Sequence, residues 1–268
     1  IWSFGGYDQD WTWFSEDAEN WFQSSSETKE QFLTGRAASF RGKLWNIKRN
    51  SNEIWTSNNG LDWFIGSIIP DMSKRRHSIM LEHNDSLWLL GGYDENSGSL
   101  NDVWVSSNGD DWQKVSDNFP GFTNYYEATT HKGKIYIVLK EDTGNQFNKV
   151  YSSADGIEWV ERTPQAEFSS RSFFKVTSYQ GKIWLIGGDE TTDIWSSEDG
   201  EIWTLEAEDP EFGNINHYVL KTFKDRLLLI TDEVVWQSTD GINWTLLDSD
   251  PAYPTLVWLN VLIHDQEL

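Results

Sequence analysis

A short motif that recurs six times constrains the fold of this chain more than any other feature of its sequence. The motif reads Ser-x-(Asp/Asn)-(Gly/Ala)-x-x-Trp and begins at positions 15, 57, 106, 153, 197 and 238. Successive copies are 42, 49, 47, 44 and 41 residues apart, and the spacing counted across the two chain ends is 45. Repeats of this length are typical of solenoids and propellers. We therefore expect a repeat architecture in which the first and last units are neighbours.

The motif itself predicts a β-hairpin. An Asp or Asn side chain folds back onto the backbone, the following Gly supplies a positive φ, and the Trp begins the next strand. The first copy carries Ala18 in place of Gly, so we expect that hairpin to be more strained or differently turned. Apolar segments such as "GKLWNI" and "GKIWLIGG" lie upstream of the hairpins and indicate further strands. Four short strands per unit, repeated six times, predict an all-β, six-bladed β-propeller.

The repeat boundaries give the expected blades of this single domain. Five of them are 32–67, 75–116, 123–163, 171–207 and 215–248, and the first is a composite of 255–268 with 1–24. The joined segment 265–268 plus 1–6 aligns without a gap with 179–188 and 83–92. We therefore expect the C-terminal strand to pair in the N-terminal blade and close the ring, which would remove exposed sheet edges.

The unit at 171–206 resembles a Kelch repeat of the galactose-oxidase-like class. Arg171, the pair 187–188, Asp193, Trp195 and Trp203 fall in the order of that repeat, and residues 75–115 are similar. The Gly-Gly pair recurs only at 5–6, 91–92 and 187–188, which departs from the pattern. The hairpins are also similar to the sialidase Asp-box, with one residue fewer between Asp and Gly. The resemblance implies four-stranded blades around a central channel, with the starts of the inner strands at one mouth.

Composition and charge narrow the expected partners. The formal net charge is −22, and the longest basic cluster is only 74–76, so a nucleic-acid or anionic-membrane surface is not expected. No apolar run reaches the length of a membrane span. The acidity suits solubility or attraction of cations such as Ca²⁺. Cysteine is absent, which excludes disulfides, thiolate zinc sites and the Tyr–Cys crosslink that galactose-oxidase chemistry needs.

Tryptophan is abundant, but its positions are mainly architectural. Fifteen of the 17 Trp residues recur at equivalent positions of the units, which predicts packing between blades. The two others, Trp11 and Trp258, both belong to the composite blade. At the channel mouth they would form a stacking platform for a sugar or peptide; the alternative is extra packing where the ring closes.

Further candidate ligand-binding residues lie at the starts of the inner strands. They are Arg36, Arg75, His77, Tyr126, Glu127, Arg171, His217 and Tyr218. His77 and His217 align three blades apart, where they would bind water or, with carboxylates from neighbouring blades, a metal. The acidic loop at 93–102 offers Asp94, Glu95 and Asp102 as Ca²⁺ ligands, although it lacks EF-hand spacing.

Three functions are compatible with these residues. The favoured one is a non-catalytic module that recognises a glycan or a protein, because no compact catalytic constellation is evident and no cofactor is required. The alternative is an enzyme for an acidic sugar, similar to a sialic acid epimerase or sialidase. Arg36, Arg75 and Arg171 would hold the carboxylate, and Glu127, Tyr126 or His217 would transfer protons. The third is a rigid subunit of a larger assembly. A start without Met and the acidity favour a trimmed or partial chain exported by a bacterium to the periplasm or the exterior.

Overall fold

The computed structural model describes most of the chain. The described residues are 1–6, 9–23, 37–120, 125–140, 148–189, 191–213, 215, 218–231, 233–249 and 260–262. For 2–6, 9–12 and 260–262 the backbone alone is described. None of these residues belongs to a helix long and apolar enough to cross a membrane.

Every regular element of the described residues is a β-strand, as the repeat predicts. Blade numbers follow the six sequence repeats. Blade 2 contains β4 (Ala38–Phe40), β5 (Lys43–Ile47), β6 (Glu53–Ser57) and β7 (Phe64–Ile68). Blade 3 contains β8 (Ile79–His83), β9 (Ser86–Asp94), β10 (Gly98–Ser106) and β11 (Gln113–Ser116). Blade 4 contains β12 (Tyr126–His131), β13 (Lys134–Lys140), β14 (Asn148–Ser153) and β15 (Val160–Thr163).

The remaining strands complete two more blades and one composite sheet. Blade 5 contains β16 (Lys175–Tyr179), β17 (Lys182–Gly188), β18 (Thr191–Ser197) and β19 (Thr204–Ala207). Blade 6 contains β20 (Val219–Phe223), β21 (Arg226–Ile230), β22 (Val235–Ser238) and β23 (Thr245–Asp248). The composite sheet contains β1 (Trp2–Gly6), β2 (Gln9–Phe14), β3 (Phe22–Gln23) and β24 (Asn260–Leu262).

The fold is a β-propeller with four-stranded blades, as predicted. Blades 2 to 6 are antiparallel meanders of four consecutive strands, so five such blades stand where the repeat predicts six. The composite sheet has the order β24-β1-β2-β3, in which the backbone of Trp2 is opposite Leu262 and Phe14. Two cationic side chains of blade 6 contact the motif hairpin between β2 and β3 of the composite sheet. Arg226 Nη2 donates to the Asp17 carbonyl at 2.7 Å, and Lys224 Nζ donates to the Glu16 carbonyl at 3.4 Å.

The hairpin motif folds as the sequence predicts. In the last copy the Gly241 amide donates to Ser238 Oγ at 2.8 Å, and the amides of Ile242 and Asn243 donate to Asp240 Oδ1. The hairpin of Ala18 has the same geometry, since its amide donates to Ser15 Oγ at 2.8 Å. The expected strain is present, because Ala18 has a φ of 71°, but the expectation of a different turn is wrong.

Four hairpin glycines pack on an aromatic side chain of the preceding blade. The partners lie on second strands: Gly109 contacts Trp45, Gly156 contacts Trp88, Gly200 contacts Tyr136 and Gly241 contacts Trp184. The indoles of Trp45 and Trp184 are almost fully buried. The architectural interpretation of these Trp residues is therefore confirmed.

Candidate functional site

The inner strands of the five blades enclose a polar central channel. Its cavity of about 480 Å³ is lined by residues of β8, β12, β16 and β20 and by residues 37–39 at β4. Six lining residues carry hydroxyl groups: Ser39, Thr129, Thr130, Thr177, Ser178 and Thr222. Four are charged, namely Glu82, Glu127, Lys175 and Lys221. This volume is in the range of ligand-binding pockets, roughly 300–1,000 Å³.

Three ring-bearing residues share one position, just before or at the start of inner strands that line the channel. His77, Tyr125 and Phe173 each lie six residues before the last residue of their inner strand. His77 is exposed with a φ of 59°, and Phe173 is 57 % exposed with a φ of 62°. The third ring, Tyr125, is partly buried. We call these three residues the mouth arc.

Tyr125 connects the mouth arc to the channel wall. Its ring lies edge-on to Phe173 with centroids 5.3 Å apart. Its hydroxyl oxygen is 3.0 Å from Glu127 Oε1 and 2.9 Å from the carbonyl of Phe174. Lys175 Nζ donates to Glu127 Oε1 at 2.9 Å and to the Tyr125 hydroxyl at 3.3 Å. Glu127 is buried, so this predicted residue is held in an ion pair at the wall.

The two described arginine candidates are buried within their own blades. Arg75 is 0 % exposed and binds both oxygens of Asp102 at 2.7 Å, while it also donates to the carbonyls of Ser73 and Gly91. Burial acts to raise the pKa of Asp102, but the hydrogen bonds and charge of Arg75 outweigh it and lower that pKa. The guanidinium is therefore used inside the blade, and contact of Arg75 with a ligand stays a prediction.

Arg171 repeats this arrangement in blade 5. Its guanidinium pairs with both carboxylate oxygens of Asp193 and donates to the carbonyl of Gly187 and to both oxygen atoms of Ser169. Trp195 Nε1 donates to the same carboxylate at 2.8 Å. Arg171 is 1 % exposed, so it too is a cation held inside its own blade, and its contact with a substrate carboxylate stays a prediction.

The two tyrosine candidates bridge neighbouring blades. Tyr126 is buried, and its hydroxyl donates toward the carbonyls of His77 and Leu90 in blade 3. Tyr218 donates to the carbonyl of Ile186 in blade 5 at 2.7 Å. Burial raises the pKa of Tyr218 strongly, and the negative charge of Glu127 adds to this effect. Both phenols therefore donate hydrogen bonds inside the fold, and their contact with a ligand stays a prediction.

The proposed Ca²⁺ ligands do not converge. Asp94 Oδ1 accepts the amides of Asn96 and Ser97 within a turn, Glu95 pairs with Arg76, and Asp102 is held by Arg75. Over the described part of the chain, no three His, Asp or Glu side chains form a group that could hold a metal ion.

Four predicted residues are not placed by the structure. Arg36, His217 and Trp258 lie outside the described residues. For Trp11 the structure describes only the backbone, within β2. The expected Trp11–Trp258 platform therefore stays a prediction.

The comparison with protein families gives a match over most of the chain. The DUF6242 beta propeller domain matches residues 6–197. The chain belongs to this family. The match to the DUF6242 family extends from the composite sheet to the hairpin of blade 5 and agrees with the observed architecture. A comparison with curated proteins found no match.

In this DUF6242 propeller, sequence reasoning missed Phe173, an exposed aromatic side chain of the mouth arc. Phe173 stands in the segment "RSFFKV", which is typical of an apolar strand start, whereas in the structure it has a positive φ and an exposed ring. The sequence did contain a signal for Phe173, because it aligns with His77, which is one of the candidate ligand-binding residues. Lys175 was missed because its role depends on Glu127 of the neighbouring blade.

Proposed function

We propose that this DUF6242 propeller is a non-catalytic binding module that recognises a glycan or protein ligand through the mouth of its central channel. The observation that carries the proposal is the exposed ring of Phe173, which lies edge-on to Tyr125, whose hydroxyl contacts both members of the Glu127–Lys175 pair in the cavity wall. Solvent-exposed aromatic rings beside a polar cavity supply contact area and orientation to a ligand.

The arrangement of the arginines supports binding over turnover of an acidic sugar. An enzyme of that kind needs a guanidinium fork that faces its substrate. Arg75 and Arg171 instead have their forks occupied by Asp102 and Asp193. Arg36 lies outside the described residues, and neither of the two described candidate arginines supports the enzyme.

We also propose that the composite sheet is a sixth, Kelch-like blade that closes the ring. The pairing of β24 with β1 and the hydrogen bonds from Arg226 and Lys224 to the first hairpin support this arrangement. Closure would place any ligand of the channel within a continuous wall and leave no open sheet edge at the seam.

An array of glycans and peptides tests the binding proposal. The wild-type protein is applied with and without Ca²⁺, beside Phe173→Ala and the control Phe64→Ala. Phe64 is 61 % exposed on β7, the outer strand of blade 2, so the control removes an exposed phenyl ring elsewhere. We expect some ligands on the array to bind wild type and Phe64→Ala but not Phe173→Ala. The proposal would be contradicted if Phe173→Ala bound the same ligands as wild type, or if wild type bound no ligand on the array.

A further inference from the structure

We propose that the ligand of the channel is the terminal unit of an uncharged carbohydrate, with one face of the sugar ring against Phe173 and its hydroxyl groups directed into the cavity. This inference rests on the proposed function and specifies the chemistry of the ligand. It is drawn from the backbone of the mouth arc, the wall of the cavity and the balance of charge.

The backbone at Phe173 is the first observation. Its φ of 62° lies in the left-handed region, where glycine is favoured and a bulky residue is an outlier. The side chain is 57 % exposed, so burial of the ring contributes only part of the hydrophobic stabilisation that a fully buried phenylalanine would give. Glycine at this position would relieve the strain and expose less apolar surface. Folding therefore does not account for the phenyl ring, and strained residues of this kind cluster at functional sites.

The cavity wall is the second observation. Hydroxyl-bearing residues from four blades line one space, and two of the hydroxyls, Thr177 Oγ1 and Thr222 Oγ1, are 3.4 Å apart. A hydroxyl group both donates and accepts hydrogen bonds, as the hydroxyls of a sugar do. An apolar platform above such a wall matches a ligand that has an apolar ring face and a polar periphery.

The charge is the third observation. The described wall carries two carboxylates and two ammonium groups, and one of each is joined in the Glu127–Lys175 pair. The wall therefore has no excess positive charge with which to attract an anion. The net charge of −22 on the whole chain repels anions further. An uncharged sugar fits this field, whereas a uronic or sialic acid does not.

Calorimetric titration of matched sugars tests the inference. The probes are methyl glycosides and short oligosaccharides of neutral hexoses, each paired with its uronic acid counterpart, and a sialylated oligosaccharide. The proteins are wild type, Phe173→Gly and Phe64→Ala, with thermal unfolding measured for each. We expect at least one neutral probe to bind wild type and Phe64→Ala at least tenfold more tightly than its acidic counterpart. Phe173→Gly should weaken that binding at least tenfold while its Tm is unchanged or higher.

The outcomes separate the inference from the proposed function. Binding of only acidic sugars, or of only peptides on the array, in a Phe173-dependent manner overturns the inference and leaves the binding module in place. A Phe173→Gly protein with a lower Tm would show that the ring is needed for packing and overturns the inference. Absence of binding to every glycan and peptide probe overturns both.

Discussion

Gly241 and Trp184 are in such close contact that no other residue fits the hairpin at position 241. A β-carbon on Gly241 would lie 2.5 Å from Cη2 of Trp184, and the φ of Gly241 is 82°. The first hairpin shows the complementary solution. Ala18 occupies the glycine position there and packs in one cluster with Leu228, which replaces the Trp on the second strand of blade 6. The smaller aliphatic side chain makes room for the methyl group.

Gly241→Ala should therefore destabilise the propeller by about 2–5 kcal/mol. Roughly 1–2 kcal/mol is expected from a β-carbon in the left-handed region and about 1–3 kcal/mol from overpacking. Because Leu228 accommodates Ala18, the same substitution made together with Trp184→Leu should add less to the loss caused by Trp184→Leu alone. Urea unfolding of the two single variants and the double variant measures this coupling.

Gly181→Ala is the matched control for the steric part of that prediction. Gly181 has a φ of 76° but no atom within 4 Å of the added β-carbon. Its loss should be limited to the backbone contribution of roughly 1–2 kcal/mol. Equal losses at positions 181 and 241, or additive effects with Trp184→Leu, would show that the contact with Trp184 does not restrict the residue.

The hairpins and their Trp residues could be predicted because they depend on local chemistry. The hairpin needs a residue with positive φ, a side chain that folds back onto the backbone and a residue that begins the next strand. All three lie within seven residues, so the local sequence is sufficient to predict the hairpin. The roles of Arg75 and Arg171 could not be predicted this way. Each arginine binds an Asp more than twenty residues away, and the tertiary fold decides whether the guanidinium faces the channel or that carboxylate. Phe173 was missed for a similar reason, since its exposure depends on one backbone angle.

Arg171→Ala should destabilise the protein by about 3–5 kcal/mol, because it leaves Asp193 without its buried partner. Arg41→Ala is the surface control. Arg41 pairs with Asp85 at 3.3 Å, and both side chains are more than half exposed, so its loss should be below about 1 kcal/mol. Denaturant unfolding of both variants checks the difference. A stable Arg171→Ala protein would indicate that this arginine has a role outside the fold.

His131 should make stability depend on pH near neutrality. The side chain is buried, with Nδ1 2.8 Å from Ser178 Oγ and Nε2 3.1 Å from the carbonyl of Glu198. Burial lowers the pKa of His131 below 6.5, and the charge of Lys132 acts in the same direction. The unfolded chain then binds more protons than the folded one below that pH. This contribution is favourable above pH 6.5 and is lost as the pH falls from 6.5 toward the folded pKa.

His131→Tyr tests this dependence with a side chain that blade 5 already uses. Tyr179 holds the equivalent position, and its hydroxyl donates to the carbonyl of Thr239 at 3.0 Å, as a tyrosine at 131 could do toward Glu198. Unfolding free energies of both proteins are measured from pH 8 to pH 5. The advantage of wild type over the variant should shrink as the pH falls. A constant difference would exclude His131 as the titrating group.

The hairpin aspartates should control stability in acid, and Asp240 offers the clearest test. Burial acts to raise its pKa, but hydrogen bonds from the side chain and amide of Asn243 and from the amide of Ile242 lower the pKa to about 2. A carboxyl whose pKa is lower in the folded protein adds stability above pH 3.8, and this is lost as the pH falls toward 2. Asp240→Asn keeps one acceptor oxygen, as Asn59 does in the hairpin of blade 2.

We expect Asp240→Asn to lose less than about 1 kcal/mol at pH 7, because the carboxylate is exposed and screened by solvent. The difference from wild type should vanish near pH 2. The reverse change, Asn59→Asp, serves as the control. Asn59 Nδ2 donates to Asp62 Oδ2 at 2.9 Å, so a second carboxylate there would be repelled, and this variant should gain stability relative to wild type as acid protonates the pair. Urea unfolding at pH 7, 4 and 2 measures both trends, and parallel pH curves for the three proteins would contradict the assignment.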